Sequence, residues 1–198
     1  MTRNRWNQFD DEAEARRWVT QQVAIPTADS QQWLLCQLGS VLCGIAVTRV
    51  VQMVRYTHST PLPHLPPHLA GLFNLHGEVI PVLDLRLRLA LPAGELSPRA
   101  ILVVVQVNHP LEKESDPGKQ VGILVDGVTD LLFASTGEIQ PPTADMPPGT
   151  TAAGQPLIQG EVRRGEQTIY LLDVDTMLSR EEMLATIARG SVTEPIHA

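Results

Sequence analysis

Apolar and polar residues come in short runs along most of this chain, and Gly, Pro and Asp cut the runs at close intervals. That texture predicts strands joined by tight turns. Residues 33–38 and 41–47 read as two strands turning at Gly39-Ser40, which sets Leu38 opposite Val41 and Cys36 opposite Cys43. Residues 50–56 form a further strand, and Pro61, Pro63, Pro66 and Pro67 mark 57–67 as loop. Residues 71–75 and 79–83 form a hairpin around Gly77-Glu78. The run 99–107 is almost wholly apolar and reads as a strand buried on both faces. Polar residues 108–119 read as a loop, and 120–125 and 128–133 as strands around Asp126-Gly127. A Pro/Gly-rich loop over 140–154 precedes the last hairpin, 157–162 and 168–172, around Arg164-Gly165.

The two ends have a different pattern. Residues 10–22 read as a short polar helix, with acids first and Arg16-Arg17 after them, as the helix dipole favours. Ile25-Pro26 opens a linker. Near the C-terminus Ser179 and Glu182 have capping-box spacing, and Met183, Leu184 and Ile187 give the predicted helix one apolar face. Residues from Gly190 onward read as a disordered tail. The expected organisation is an extension over 1–31, a β-rich domain over 32–185 and a tail over 186–198.

The chain repeats itself. Residues 44–50 and 122–128 both read G-I-x-V-x-x-V. Gly71 precedes Asp84 by the same thirteen residues that separate Gly160 from Asp173. In each case an apolar pair stands before the Asp and a Leu stands five beyond it, Leu89 and Leu178. The expected meaning is structural. Gly71 and Gly160 open hairpins, while Asp84 and Asp173 cap short helical turns whose Leu packs back on the sheet. The duplication predicts a mainly β protein of two similar small barrels, each of about five strands.

Charge and composition narrow the functional classes. The formal net charge is −7, and no Lys/Arg cluster offers a nucleic-acid face. Aromatic residues make up 4%, too few for a base-stacking platform. No apolar run approaches a membrane span, and the N-terminus lacks an apolar leader, so a cytoplasmic location is expected. The two cysteines read as core thiols, with a cross-strand disulfide as the alternative. No P-loop, H-E-x-x-H, G-x-S-x-G or C-x-x-C motif occurs. His58, His64 and His68 lie in or beside the Pro-rich loop. A zinc site or a small β-barrel enzyme would have to use them, but Pro66-Pro67 breaks the spacing between His64 and His68. No cofactor, metal or catalytic residue is expected.

Four blocks in series carry a family likeness: 37–53 (QLGSVLCGIAVTRVVQM), 71–89 (GLFNLHGEVIPVLDLRLRL), 121–142 (VGILVDGVTDLLFASTGEIQPP) and 160–182, which holds YLLDVDTMLSREE. They resemble a CheW domain over about residues 32–185. The resemblance implies two SH3-like five-stranded β-barrels with short helices and a C-terminal helix. It also implies a non-catalytic adaptor that couples a CheA-type histidine kinase to the cytoplasmic tip of a chemoreceptor, recruited to membrane receptor arrays without entering the membrane. By position, Val50, Gln52, Asn74, His76 and Gly77 fall in the family's partner-binding region, and Val128 and Leu131 match apolar positions near the groove between barrels. Gln52 and His76 stand where the family pattern has Glu and Arg. An acid and a base are replaced together, and the amide and imidazole are expected to hydrogen-bond instead. The same departures support an alternative, a divergent scaffold for another chemosensory, motility or localisation system. Trp6, Phe9 and Trp18 in the extension read as incidental aromatics of a disordered tail, with a docking peptide as the alternative.

Overall fold

The computed structural model describes residues 29–92, 94, 96–108, 119–143, 156–179, 182 and 186. The expected N-terminal helix, its aromatic residues, and Met183, Leu184 and Ile187 lie outside them.

Ten strands follow in order: β1 Ser30–Leu38, β2 Val41–Ala46, β3 Val50–Arg55, β4 Leu69–Leu75, β5 Glu78–Asp84, β6 Ile101–Val107, β7 Lys119–Val125, β8 Gly127–Ser135, β9 Ile158–Arg164 and β10 Gln167–Leu172. A one-turn helix α1, Leu85–Arg88, follows β5. The strands form two five-stranded sheets, ordered β8-β1-β2-β10-β9 and β3-β6-β7-β5-β4. The first hairpin pairs as expected, with Cys36 opposite Cys43 and Leu38 opposite Val41, while β4–β5 and β9–β10 turn one residue away from the expected places, at His76-Gly77 and Gly165-Glu166. Advancing five strands converts one order into the other, so the duplication extends to topology.

The two five-stranded units are as expected, but neither repeat builds a sheet alone. The first repeat supplies β1 and β2 to one sheet and β3–β5 to the other, and the second does the converse. Both G-I-x-V-x-x-V stretches are the places where the chain changes sheet. After β2 it crosses through a 3-10 turn, Val47–Arg49. After β7 it crosses at Asp126, so β7 and β8 are not a hairpin but belong to different sheets.

The glycine of each motif makes room for a bulky neighbour. A Cβ on Gly44 would meet Leu171 at 2.9 Å and Trp33 Cβ at 3.3 Å, and one on Gly122 would meet Leu102 at 2.8 Å. Asp84 caps α1 as expected, whereas Asp173 stands before a turn over 174–176 that is not helical. The Asp84 carboxylate accepts from the Arg86 and Leu87 N–H groups at 3.0 and 3.2 Å, and that of Asp173 from the Asp175 N–H at 3.1 Å. Leu89 and Leu178 are fully buried in one cluster with residues of both sheets, among them Ile45, Ile123 and Val125. Burial of this shared layer supplies the main driving force and makes the repeats interdependent.

Candidate partner-binding surface

Two edges and one hairpin tip carry the residues singled out above. The tip joins β4 to β5 through His76 and Gly77, whose φ angles are 54° and 96°. Two positive φ values in a two-residue loop match the right-handed twist of the strands. The Asn74 side-chain oxygen accepts the Gly77 N–H at 2.8 Å and pins the loop. Asn74, His76 and Gly77 are exposed. Across from Asn74, Val79 is 53% exposed. Ile80 and Val82, the next inward-facing residues, are buried and anchor the hairpin.

The β3 edge has a second exposed apolar group. Val50 pairs with Val105 and Gln52 with Val104, so Val51 is an extra residue in a bulge. The bulge turns Val51 outward at 46% exposure. Val50 and Gln52 on either side are half-buried. Sequence reasoning missed Val51 and Val79, because an apolar run offers no sign of a bulge and a strand-end valine reads as core.

The structure does not join Gln52 to His76. β3 and β4 occupy opposite ends of their sheet's strand order, and no hydrogen bond links the two side chains among the described residues. The equivalent edge of the other sheet is β8. There Leu131 is half-buried against the core, but Val128 is only 2% exposed. Val128 therefore has no surface to offer and acts through packing, because the crossover at Asp126 turns it inward.

Gly71 and Gly160 sit where a preceding segment crosses their strand, bridging Thr60 to Leu72 and Gln140 to Glu161. A Cβ on Gly71 would lie 2.1 Å from the Thr60 carbonyl oxygen, at a φ of +124°. One on Gly160 would lie 2.7 Å from an Ile139 methyl.

Charged groups brace both crossovers. Asp126 accepts the Gly39 N–H at 2.6 Å and an Arg86 N–H, and its own N–H donates to Gln37. It was expected only to form a turn, yet it ties β1, α1 and the β7–β8 crossover together. At the first crossover Arg49 pairs with Asp175, which also accepts the Asn108 N–H at 2.7 Å. A cleft of about 550 Å³ opens beside this pair, with Trp33, Arg49, Gln159 and Asp175 in its wall. Gln159 donates to the Leu172 carbonyl at 2.8 Å.

Cys36 and Cys43 are free and buried. Burial pushes the Cys43 thiol up to about 12 and that of Cys36 higher still, which disfavours the reactive thiolate. Among the described residues no group of three His, Cys, Asp or Glu is placed to hold a metal ion. His68 instead hydrogen-bonds to Glu182 at 2.8 Å. Among the described residues no helix is long and apolar enough to cross a membrane.

Comparison with known proteins adds a family. The CheW-like domain model matches residues 32–182. A chemotaxis protein CheW from Rhizobium meliloti is 32% identical over 159 residues, covering 79% of this chain and 92% of that protein. One from Klebsiella aerogenes is 28% identical over 153 residues, covering 77% and 84%. Protein FrzA of Myxococcus xanthus is 28% identical over 158 residues, covering 79% and 90%. The crystal structure of scaffolding protein TtCheW from Thermoanaerobacter tengcongensis superposes with a TM-score of 0.64 at 20% identity, covering 77% of this chain and 94% of that one. The last likeness concerns the fold.

Proposed function

This chain belongs to the CheW-like domain family, and on that footing we propose that it is a non-catalytic coupling module of chemotaxis-type signalling. In this reading it holds a CheA-type histidine kinase against the cytoplasmic tip of a chemoreceptor, and so works at membrane receptor arrays from the cytoplasmic side. The observation that carries the proposal is the extent of the family match, which takes in both sheets and both crossovers. The surface chemistry supports it. A pinned hairpin tip with an exposed Val79, and an edge strand with an outward Val51, offer apolar side chains beside main-chain groups. Proteins use such edges to bind one another.

We assign the tip residues Asn74, His76 and Gly77 and the edge residues Val50, Val51, Gln52 and Leu131 to partner contact. A pull-down of a CheA-type kinase from the same genome on the immobilised full chain tests the assignment. Association at tens of micromolar is expected; none at that concentration overturns it. Gln52 and His76 favour a second reading, in which the partners belong to a divergent chemosensory, motility or localisation system. Under it, Gln52→Glu with His76→Arg shifts receptor preference. Unchanged preference in the single and double variants would remove both residues from the interface.

A further inference from the structure

The strands that follow the two crossovers, β3 and β8, are equivalents with different chemistry. Val50 and Val128 end the two copies of G-I-x-V-x-x-V, so Val51 corresponds to Thr129, Gln52 to Asp130 and Met53 to Leu131. The register carries the same irregularity in both. Asp130 pairs with Leu35 and Val128 with Cys36, so Thr129 is the extra residue of a bulge, as Val51 is on β3. Both strands are outermost in their sheets. The two edges therefore share a shape, and what distinguishes them is their side chains.

On β3 the bulge presents an apolar Val51 to solvent, next to a half-buried, neutral Gln52. On β8 the bulge residue bonds inward, because Thr129 Oγ1 donates to the Leu35 carbonyl at 3.4 Å. Asp130 is the exposed residue there. Its Oδ1 accepts the Leu131 N–H at 2.8 Å, and the Phe133 carbonyl accepts from Arg164 at 3.2 Å. Side chains thus already engage main-chain groups of this edge, and the bulge further disfavours an added strand. The second carboxylate oxygen of Asp130 is left to be read. Among the described residues Asp130 joins no ion pair. Arg163 and Arg164, at the end of β9, are paired with Glu161 and Glu138 instead.

We propose that the β8 edge is a contact for a basic protein surface, with Asp130 receiving an Arg or Lys of the partner, while the β3 edge takes an uncharged one. The inference rests on the coupling role and deepens it. A coupling module needs two faces that its partners can tell apart, and a duplicated fold supplies two alike. One carboxylate separates them, as electrostatic complementarity separates partners more than it tightens them. The net charge of −7 disfavours a second copy of this chain as the occupant of an acidic edge.

Binding titrations of the full chain test it, with the regulatory domain of a CheA-type kinase and, separately, a chemoreceptor cytoplasmic-tip fragment, each at about 0.05 and 0.5 M salt. Asp130→Asn keeps the side-chain oxygen that accepts the Leu131 N–H, so the strand is undisturbed. It should weaken one of the two partners about threefold to tenfold at low salt, with the difference vanishing at high salt. The double variant Thr129→Val, Asp130→Gln copies the β3 edge and should behave in the same way. If the wild-type chain binds and Asp130→Asn matches it at both salt concentrations, the inference is overturned and the coupling role stands. An equal loss for both partners overturns it too. If the wild-type chain binds neither partner, the coupling role is overturned and takes the inference with it.

Discussion

The two repeats share a topology and solve the same packing problem with different residues. Each places a glycine under a bulky neighbour, Gly44 under Trp33 and Gly122 under Leu102. Each ties its crossover with an ion pair, but the polarity is reversed. Arg49 on the first crossover meets Asp175 after β10, whereas Asp126 on the second meets Arg86 after β5. Behind these, one repeat closes with Leu157 and Met177 and the other with His68, Arg88 and a borrowed Glu182. Elements buried on both sides keep their shape requirement. Elements at the ends keep only the need for some complementary partner, and there the repeats diverge.

Equivalent substitutions in the two halves can break that comparison. The largest difference is expected at the hairpin glycines. Gly71→Ala meets a backbone carbonyl at 2.1 Å and a φ that disfavours any side chain. It should cost about 3 kcal/mol or more. Gly160→Ala meets mainly a methyl of Ile139, which can shift. It should cost about 1–2 kcal/mol. Urea denaturation midpoints will rank them, and equal losses would deny the asymmetry.

A smaller difference is expected at the core glycines. Gly122→Ala drives a methyl into the branch point of Leu102, with three atoms within 2.9 Å. Gly44→Ala meets the movable end of Leu171 first. Both should lose about 1–3 kcal/mol, Gly122 more.

The charged end of the first repeat sharpens the comparison through pH. Burial raises the Glu182 carboxyl, but the hydrogen bonds from His68 and Ser179 and the nearby Arg88 and His68 charges outweigh it and hold the group at about 2. A depressed carboxylate adds stability above its unfolded value, and this is lost as pH falls towards 2. Acid titration of stability between about pH 4.5 and 2 should therefore flatten in Glu182→Gln. An unaltered slope would remove Glu182 from the linkage.

The smallest effect is expected at the tip. His76 holds a positive φ that asparagine tolerates better. His76→Asn should raise stability by about 0.5 kcal/mol, read as a shifted denaturation midpoint. Any partner contact by the imidazole would be lost at the same time.

Local features were legible in the sequence, and long-range ones were not. Turn chemistry at Gly39-Ser40 and the capping spacing at Asp84 act within a few residues, so residue order reveals them. The motif repeat disclosed the duplication. It could not say that each repeat surrenders strands to the other's sheet, because G-I-x-V-x-x-V reads the same whether the chain turns back or crosses over. His68 read as a loop histidine because its partner lies 114 residues away. Val128 read as surface, though the crossover turns it into the core. Val51 read as strand interior because a bulge depends on what the neighbouring strand does.

The coupling role is tested most directly by calorimetric titration of the full chain with the regulatory domain of a CheA-type kinase from the same genome. The account predicts saturable binding at tens of micromolar or tighter, weakened by Val79→Asp at the hairpin tip or Val51→Asp on the β3 edge. Absence of heat at those concentrations, or full binding by both variants, would contradict it.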